Sequence, residues 1–423
     1  MKIAWFTHRY HPCLGGAEKY GREMVRRFVS RGDHVDVFTS DAEDLWYFVR
    51  PDRKRLDSPS REVIDGANVH RFPVRHYPAQ RYVRRLMSYV PHWPTQCRVA
   101  SYLPIIPSLD RVRGDYDAVF GVGFPYTGFS YAAWKVAQAA SAPLLLTPFL
   151  HLATAGDPVN KTYTKPHQIE LLRKADSVIV QTDLEGDAVR NWGIPRDRVQ
   201  RLGMGVDHDL VTGGDRHRLR QSLGLDDSAP VVGQLGVCDP NKGTNDLVRA
   251  VSRLNESRPE GPIHLLLGGN SSPEFEQFAA ELPAESGRWL HRLGPLRGEA
   301  IADFFAALDV FAMPSRTDSF GIVYLEAWAN ALPVIGANAG GVAEVISHDR
   351  NGLLVEFGDV EGLSASVDSL VSDAAYRRKL GDAGKEHVSH GFSWDDRFAT
   401  LSSLSDRLAS RRSAGARPLA TSA

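Results

Sequence analysis

The chain has 423 residues, 43% of them hydrophobic and 24% charged, with a net charge of −1, so no global charge invites nucleic acid. Its three cysteines, Cys13, Cys97 and Cys238, are widely spaced without a CxxC, which excludes a disulfide or zinc framework and fits a reducing compartment. The apolar start MKIAWF is too short for a signal peptide and no run of about 18 apolar residues occurs, so a cytoplasmic protein without a spanning helix is expected.

Lys2 to Phe6 is a short apolar strand, followed by the loop THRYHPCLGG. A helix follows, with Tyr20, Met24 and Phe28 at spacing four, and Gly32 is its stop signal. Val35 to Thr39 is the next strand, which makes this a βαβ unit and the start of a parallel α/β sheet. Further strands are predicted at Val69–Phe72, Ala118–Val122, Leu144–Thr147, Ser177–Gln181 and Val199–Leu202. Residues 50–113 break the rhythm with thirteen Lys/Arg against five Asp/Glu and interleaved aromatics. An irregular solvated insertion over about 45–113, with arginine-rich helix faces, is the plain reading. The alternative is a surface for anionic lipid at the inner face of a membrane, or for an acidic acceptor; nucleic acid is the weaker third option, since no known binding motif accompanies the charge.

The polar, Gly-rich stretch from Gly203 to Ala229 reads as the connection between domains. The alternation then restarts. Strands are expected at Val231–Leu235, Ile263–Leu267, Trp289–Leu293, Val310–Met313, Val334–Ile335 and Gly352–Phe357. Helices are expected from Lys242 to about Leu254, over Ala300–Leu308 and over Gly321–Ala331. The expected domains are 1–205, 206–390, a C-terminal helix over 391–410 packing back on the first domain, and a disordered tail, 411–423. Two parallel sheets with Gly-rich loops imply a cleft at the carboxyl ends of the strands.

Candidate site residues follow from this layout. Gly15-Gly16 precede a helix N-terminus, where glycine lets the backbone approach a phosphate. Lys242 sits just before a helix in GQLGVCDPNKGTND, a natural diphosphate partner in a loop that lacks Walker A order. Glu326 is the only charge between Gly321 and Gly336, and an unpaired buried carboxylate is costly, so it should face a cleft. Asp318, eight residues earlier, also suits a helix N-cap. Gly340-Gly341 offer further N–H donors, and His151 follows a strand at its carboxyl end. Asp115-x-Asp117 precedes a strand and reads as turn residues rather than a metal motif. No metal-ligand spacing is present, and GVGFPYTG lacks the GxGxxG order of a nicotinamide site. A nucleotide sugar suits such a cleft, with carboxylates accepting from hydroxyls and lysine and amides holding the diphosphate.

The segment DSFGIVYLEAWANALPVIGANAGGVAEVI resembles the Ex7E region of the GT-B, family 4 retaining glycosyltransferases. GGAEKYGREMVRRFVSRGDHVDVFT, NKGTNDLVRAV, ADSVIVQT, GMGVD and NGLLVEFGD resemble that family's other segments in the same order. The resemblance implies two Rossmann-like domains facing across a cleft, a UDP- or GDP-sugar donor, and a hydroxyl acceptor on a glycan, a glycolipid or lipid-linked sugar, or a small molecule. It implies no metal or other cofactor, and the near-zero net charge already gives no nucleic-acid partner. By it, Glu326 binds the donor ribose and Asp318 contacts the transferred sugar beside the Ser319, Phe320 and Gly321 backbone. Lys242 neutralises the leaving diphosphate, Gly15 and Gly16 approach it, His151 contacts the sugar, and Leu296 lies near the nucleobase. Two residues depart from the family: Asp318 stands where Glu is usual, and Gln234 where an arginine clamp is usual, with Arg316 as its possible replacement. A nucleotide-sugar-binding scaffold without turnover is therefore the alternative function.

Overall fold

The computed structural model describes residues 1–77, 82, 86–87, 89–99, 104–258 and 261–415. The chain divides into two units. The first comprises Met1–Leu150, Gly156–Gly203 and the residues from Asp395 onward; the second comprises His151–Ala155 and Met204–Trp394.

Eight strands form the first sheet: β1 (Lys2–Thr7), β2 (His34–Ser40), β3 (Arg61–Ile64), β4 (Ala67–Phe72), β5 (Ala118–Val122), β6 (Leu144–Thr147), β7 (Ser177–Val180) and β8 (Val199–Arg201). Their order is β3-β4-β2-β1-β5-β6-β7-β8. All pairings are parallel except β3–β4, an antiparallel hairpin at one edge. The central strands are continuous apolar runs, since helices on both sides leave neither face wet. Trp5 of β1 stacks on Phe120 of β5 with centroids 5.0 Å apart, and Phe28 of the helix Gly16–Ser30 closes on the same ring at 5.5 Å.

Six parallel strands form the second sheet: β9 (Val231–Leu235), β10 (His264–Gly268), β11 (Leu290–Gly294), β12 (Val310–Met313), β13 (Val334–Ala337) and β14 (Leu353–Val355), in the order β11-β10-β9-β12-β13-β14. Its core joins Val232, Leu265, Val310 and Ile335 to Leu247 and Val251 of the helix Thr244–Glu256 and to Leu363 and Val367 of the helix Val360–Ser372. The fold is α/β with two parallel-sheet domains.

Three expectations change. Within the basic insertion, β4 carries the strand expected at Val69–Phe72, but Arg61–Ile64 also joins the sheet as β3, which was not expected; the antiparallel β3 is short and half-exposed, so it carries little apolar signal. The chain passes from the first unit to the second between Gly203 and Met204, where the connection was expected to begin, but residues 204–229 belong to the second unit rather than forming a free linker. Within it the helix Arg216–Ser222 buries Arg220 completely, and Arg220 donates to the carbonyls of Ala307, Asp226, Asp227 and Ala229 and pairs with Asp309 at 2.9 Å. The final helix runs from Trp394 to Gly415, past the 410 boundary, and the remaining tail lies outside the described residues. So do most of the arginine-rich positions at 81–85 and Tyr102-Leu103 of the YLPIIP run. No helix among the described residues is long and apolar enough to cross a membrane.

Candidate donor site of the second unit

Two loops at the carboxyl ends of adjacent strands build the site. The first leaves β9 and carries Asp239 to Lys242 into the helix Thr244–Glu256. Asp239 holds the turn by accepting from the Asn241 N–H at 2.7 Å, and its own N–H donates to Thr244 Oγ1 at 3.0 Å. Gly243 has φ 70°, and a Cβ there would lie 2.2 Å from the Pro314 carbonyl oxygen. Only glycine allows that approach. The second loop leaves β12 at Pro314, and its Arg316 N–H donates to the Asn241 carbonyl at 2.8 Å.

This packing delivers Lys242 Nζ to Asp318 Oδ2 at 2.7 Å, across 76 residues of sequence. Asp318 is 9% exposed. It does not cap the following helix, Ile322–Ala329, whose N-cap is Gly321 at φ 88°. The N-cap explanation for Asp318 therefore fails, and the carboxylate is engaged by a lysine instead. Burial would raise its pKa, but the Lys242 charge, with His151 and a Ser319 backbone hydrogen bond, holds it below the usual carboxylate range. His151 belongs to the same unit. Its pKa is lowered, chiefly by burial and further by Lys242, against the opposing pull of Asp318 and a hydrogen bond to the Thr317 backbone. The site thus holds an ionised acid, a lysine and an imidazole biased to neutrality.

Glycine is needed once more at Gly340, φ 57°, where a Cβ would lie 2.6 Å from the Leu152 carbonyl and 2.9 Å from the Asp318 carbonyl. The Gly341 N–H donates to that Asp318 carbonyl at 2.9 Å. Glu326 is buried in the helix Ile322–Ala329. Ser319 and Phe320 are buried beside Asp318, and the Arg316 guanidinium lies 6.0 Å from the Phe357 ring centroid. Leu296 is half-buried, and its side chain lies over Gly268, where a Cβ would come within 3.0 Å of it. Gln234 is fully buried, and its amide donates to Thr244 Oγ1 at 2.8 Å, bracing the Asp239 turn. Ser315 Oγ, Thr317 Oγ1 and Gln234 Oε1 are buried with no hydrogen-bond partner among the described residues.

In the first unit, Gly15 and Gly16 stand at the start of the helix Gly16–Ser30. A Cβ at Gly15 would meet Glu18 Oε2 at 2.1 Å, a structural reason for glycine that the sequence does not show. Glu18 is buried, accepts from Arg9 Nε at 2.8 Å and lies 3.5 Å from His8 Nε2. Burial would raise its carboxyl, but the Arg9 charge and the His8 hydrogen bond lower it to about 2. This cluster is missing from the predicted set; an acid in a helix's first turn behind GG was its one signal. Asp117 accepts from the Lys2 N–H at 2.7 Å, at the amino end of β1, as a turn residue would. Among the described residues no three His, Cys, Asp or Glu side chains are grouped to hold a metal ion.

An open parallel α/β sheet with a lysine and an acid brought together beyond its strand ends has the layout in which such folds bind ligands. Residues 215–387 match the family described as glycosyl transferases group 1, and residues 15–205 match the glycosyl transferase 4-like domain. The D-inositol 3-phosphate glycosyltransferase of Corynebacterium urealyticum is 31% identical over 427 residues, covering 96% of this chain and 95% of the relative. The protein of the same name from Stackebrandtia nassauensis is 27% identical, covering 90% and 84%. Among solved structures, sucrose-phosphate synthase from Thermosynechococcus elongatus superposes with a TM-score of 0.74 at 21% identity, covering 97% of this chain and 99% of that one. HepE of Anabaena, in complex with UDP-glucose, gives 0.68 at 19% identity, covering 96% and 100%. The chain belongs to the group 1 glycosyl transferases of GT-B fold, and it is a glycosyltransferase.

Proposed function

We propose that this protein moves a hexosyl residue from a nucleoside-diphosphate sugar to an acceptor hydroxyl, with retention of anomeric configuration and without a metal ion. The observation that carries the reading is the Lys242–Asp318 pair at 2.7 Å with His151 in the same electrostatic cluster, framed by glycine-dependent backbone. Lys242 is the group suited to the charge that develops on the departing diphosphate. Asp318 and His151 are suited to the sugar hydroxyls, and Glu326 to the ribose. The bond from the anomeric carbon to the diphosphate oxygen breaks, the acceptor oxygen bonds to the same face, and its proton passes to the leaving diphosphate. No protein nucleophile is required, so the chain's contribution is positioning and electrostatic stabilisation. The acceptor is a glycan, a lipid-linked sugar or a small polyol; inositol phosphate, the acceptor in the curated relatives' names, belongs in the panel.

The test is a thermal-shift panel of UDP-, GDP- and ADP-glucose, followed by nucleoside diphosphate release with each candidate acceptor and NMR of the product's anomeric proton. One nucleotide sugar should stabilise the protein and turn over, and Glu326→Ala should abolish both effects. Inversion at the anomeric carbon, or full turnover by Glu326→Ala, sinks the assignment. A second reading, donor binding without transfer, is motivated by Lys242 being engaged by Asp318 inside the protein. Saturable donor binding with neither transfer nor slow hydrolysis selects it.

A further inference from the structure

At the β3–β4 edge of the first sheet lies a cleft of about 420 Å³, lined by ten residues that include Arg61, Arg71, Arg75, Arg111 and His70. Among the described residues no carboxylate lines it. Its volume falls within the range of small-molecule sites, about 300–1,000 Å³.

The four arginines are not equivalent. Arg71 is nearly fully buried in β4; its Nε donates to Glu62 at 2.6 Å and its Nη2 to the His11 carbonyl at 2.5 Å. Its Nη1 is buried with no hydrogen-bond partner among the described residues. Among the described residues the ion pair of Glu62 is with Arg71. Arg61, Arg75 and Arg111 are exposed, and none has an ion pair or side-chain hydrogen bond among the described residues. Asp110, beside Arg111 in sequence, faces Lys135 at 3.1 Å and Arg98 at 3.4 Å instead.

The fold brings these segments together deliberately. The Arg75 N–H donates to the Ile105 carbonyl at 2.9 Å, tying the end of β4 to the segment that leads to Pro107 and Arg111. The Arg71 N–H donates to the Ser60 carbonyl at 2.8 Å, tying it to the start of β3. His70 stacks on Phe38 with centroids 5.0 Å apart, and burial, with the nearby Arg61 charge, lowers its pKa despite Asp36. It is thus a neutral hydrogen-bonding group at the wall. Phe72, Pro73 and Pro107 supply an apolar side, and Ser60 and Ser108 hydroxyls.

We propose that this cleft binds a phosphoryl group carried on a small ring-sized body. Three guanidinium forks without an ion pair among the described residues line one cleft, each able to donate to two phosphate oxygens, and a dianion offsets their like charge. The cleft is too local for a polymer, and its apolar wall offers the ring one face. All of its residues belong to the first unit, and none is among those assigned to the donor site.

Calorimetric titration of the full chain with glucose 1-phosphate and with inorganic phosphate tests this. Parallel flotation with phosphatidylcholine vesicles, with and without phosphatidic acid, asks whether the phosphoryl group arrives on a lipid. Each is repeated with Arg61→Gln/Arg111→Gln and with Lys242→Ala. Saturable binding should weaken at least about tenfold in the double variant, since each lost charge-assisted hydrogen bond is worth about that factor. It should persist in Lys242→Ala, which separates this cleft from a donor-diphosphate site. Retention only by phosphatidic acid vesicles, lost in the double variant, assigns the lipid source. Binding that survives the double variant, or none to any probe, overturns the proposal. A far-ultraviolet melt of the double variant, unchanged because both residues are exposed, guards against misfolding.

Discussion

Lys242→Met removes the cation and leaves most of the side chain's apolar length. Two effects follow, and the structure separates them. At 2.7 Å and an effective dielectric near 20, Lys242 and Asp318 attract by about 6 kcal/mol before desolvation is subtracted. Removing one partner of a buried pair costs about 3–5 kcal/mol. The Lys242 side chain is 26% exposed, so water screens part of this and a loss near 2–3 kcal/mol is expected. Turnover should fall further, by about 10²–10³, as when a preorganised donor to developing negative charge is removed. The assay is nucleoside diphosphate release with the best-binding nucleotide sugar, alongside thermal melts, for Lys242→Met, Asp318→Asn and the double variant. Asp318→Asn removes the orphaned carboxylate, so the double variant should regain stability over Lys242→Met while transfer stays low. If Lys242→Met keeps its turnover within about threefold, or the double variant regains transfer, the lysine acts only on Asp318 and the reasoning fails.

Glu18 carries a pH signature. Its folded pKa, about 2, lies below the ordinary 4.5, so its contribution is present above pH 4.5 and is lost as pH falls toward 2. Glu18→Gln should cost up to about 3 kcal/mol at pH 7 and nothing near pH 2, read from urea melts at both; a pH-independent loss refutes the Arg9 pairing as its cause. Arg220→Met takes the guanidinium from four carbonyls and leaves Asp309 to Arg216 and the Val231 N–H, so a loss of about 2–3 kcal/mol is expected; a melt within about 1 kcal/mol of the parent would show that the Arg220 network is dispensable to the second unit. Gly340→Ala places a Cβ against the Leu152 and Asp318 carbonyls, and should lower stability by about 2 kcal/mol and donor affinity together. Unchanged donor binding in that variant would mean the 338–341 turn does not shape the site.

Most strands were legible because a buried parallel strand is a local event: an apolar run bounded by turn residues. β5, β6, β9 and β12 begin and end where Ala118–Val122, Leu144–Thr147, Val231–Leu235 and Val310–Met313 were expected. β3 was not, because an edge strand with one wet face has no such run. The helices Val360–Ser372 and Ala374–Ser389 are not among the predicted elements either. The 203–229 stretch misled for a related reason: its charges look solvated in a list of letters. Arg220 can be buried only because distant carbonyls and Asp309 surround it.

The site divides along the same line. By itself the sequence determined that a lysine precedes one helix, that one acid precedes another helix and a second acid lies within it, and that glycines stand where backbone must turn. Each is a property of neighbouring residues. Only the tertiary structure decided that Lys242 meets Asp318, that Gly321 rather than Asp318 caps the helix, and that Gln234 is spent on Thr244. The physical reason is that a charge or a polar atom acquires its partner through the sheet. The order of strands places β9 beside β12 although nearly eighty residues separate them, and no local pattern records that neighbour.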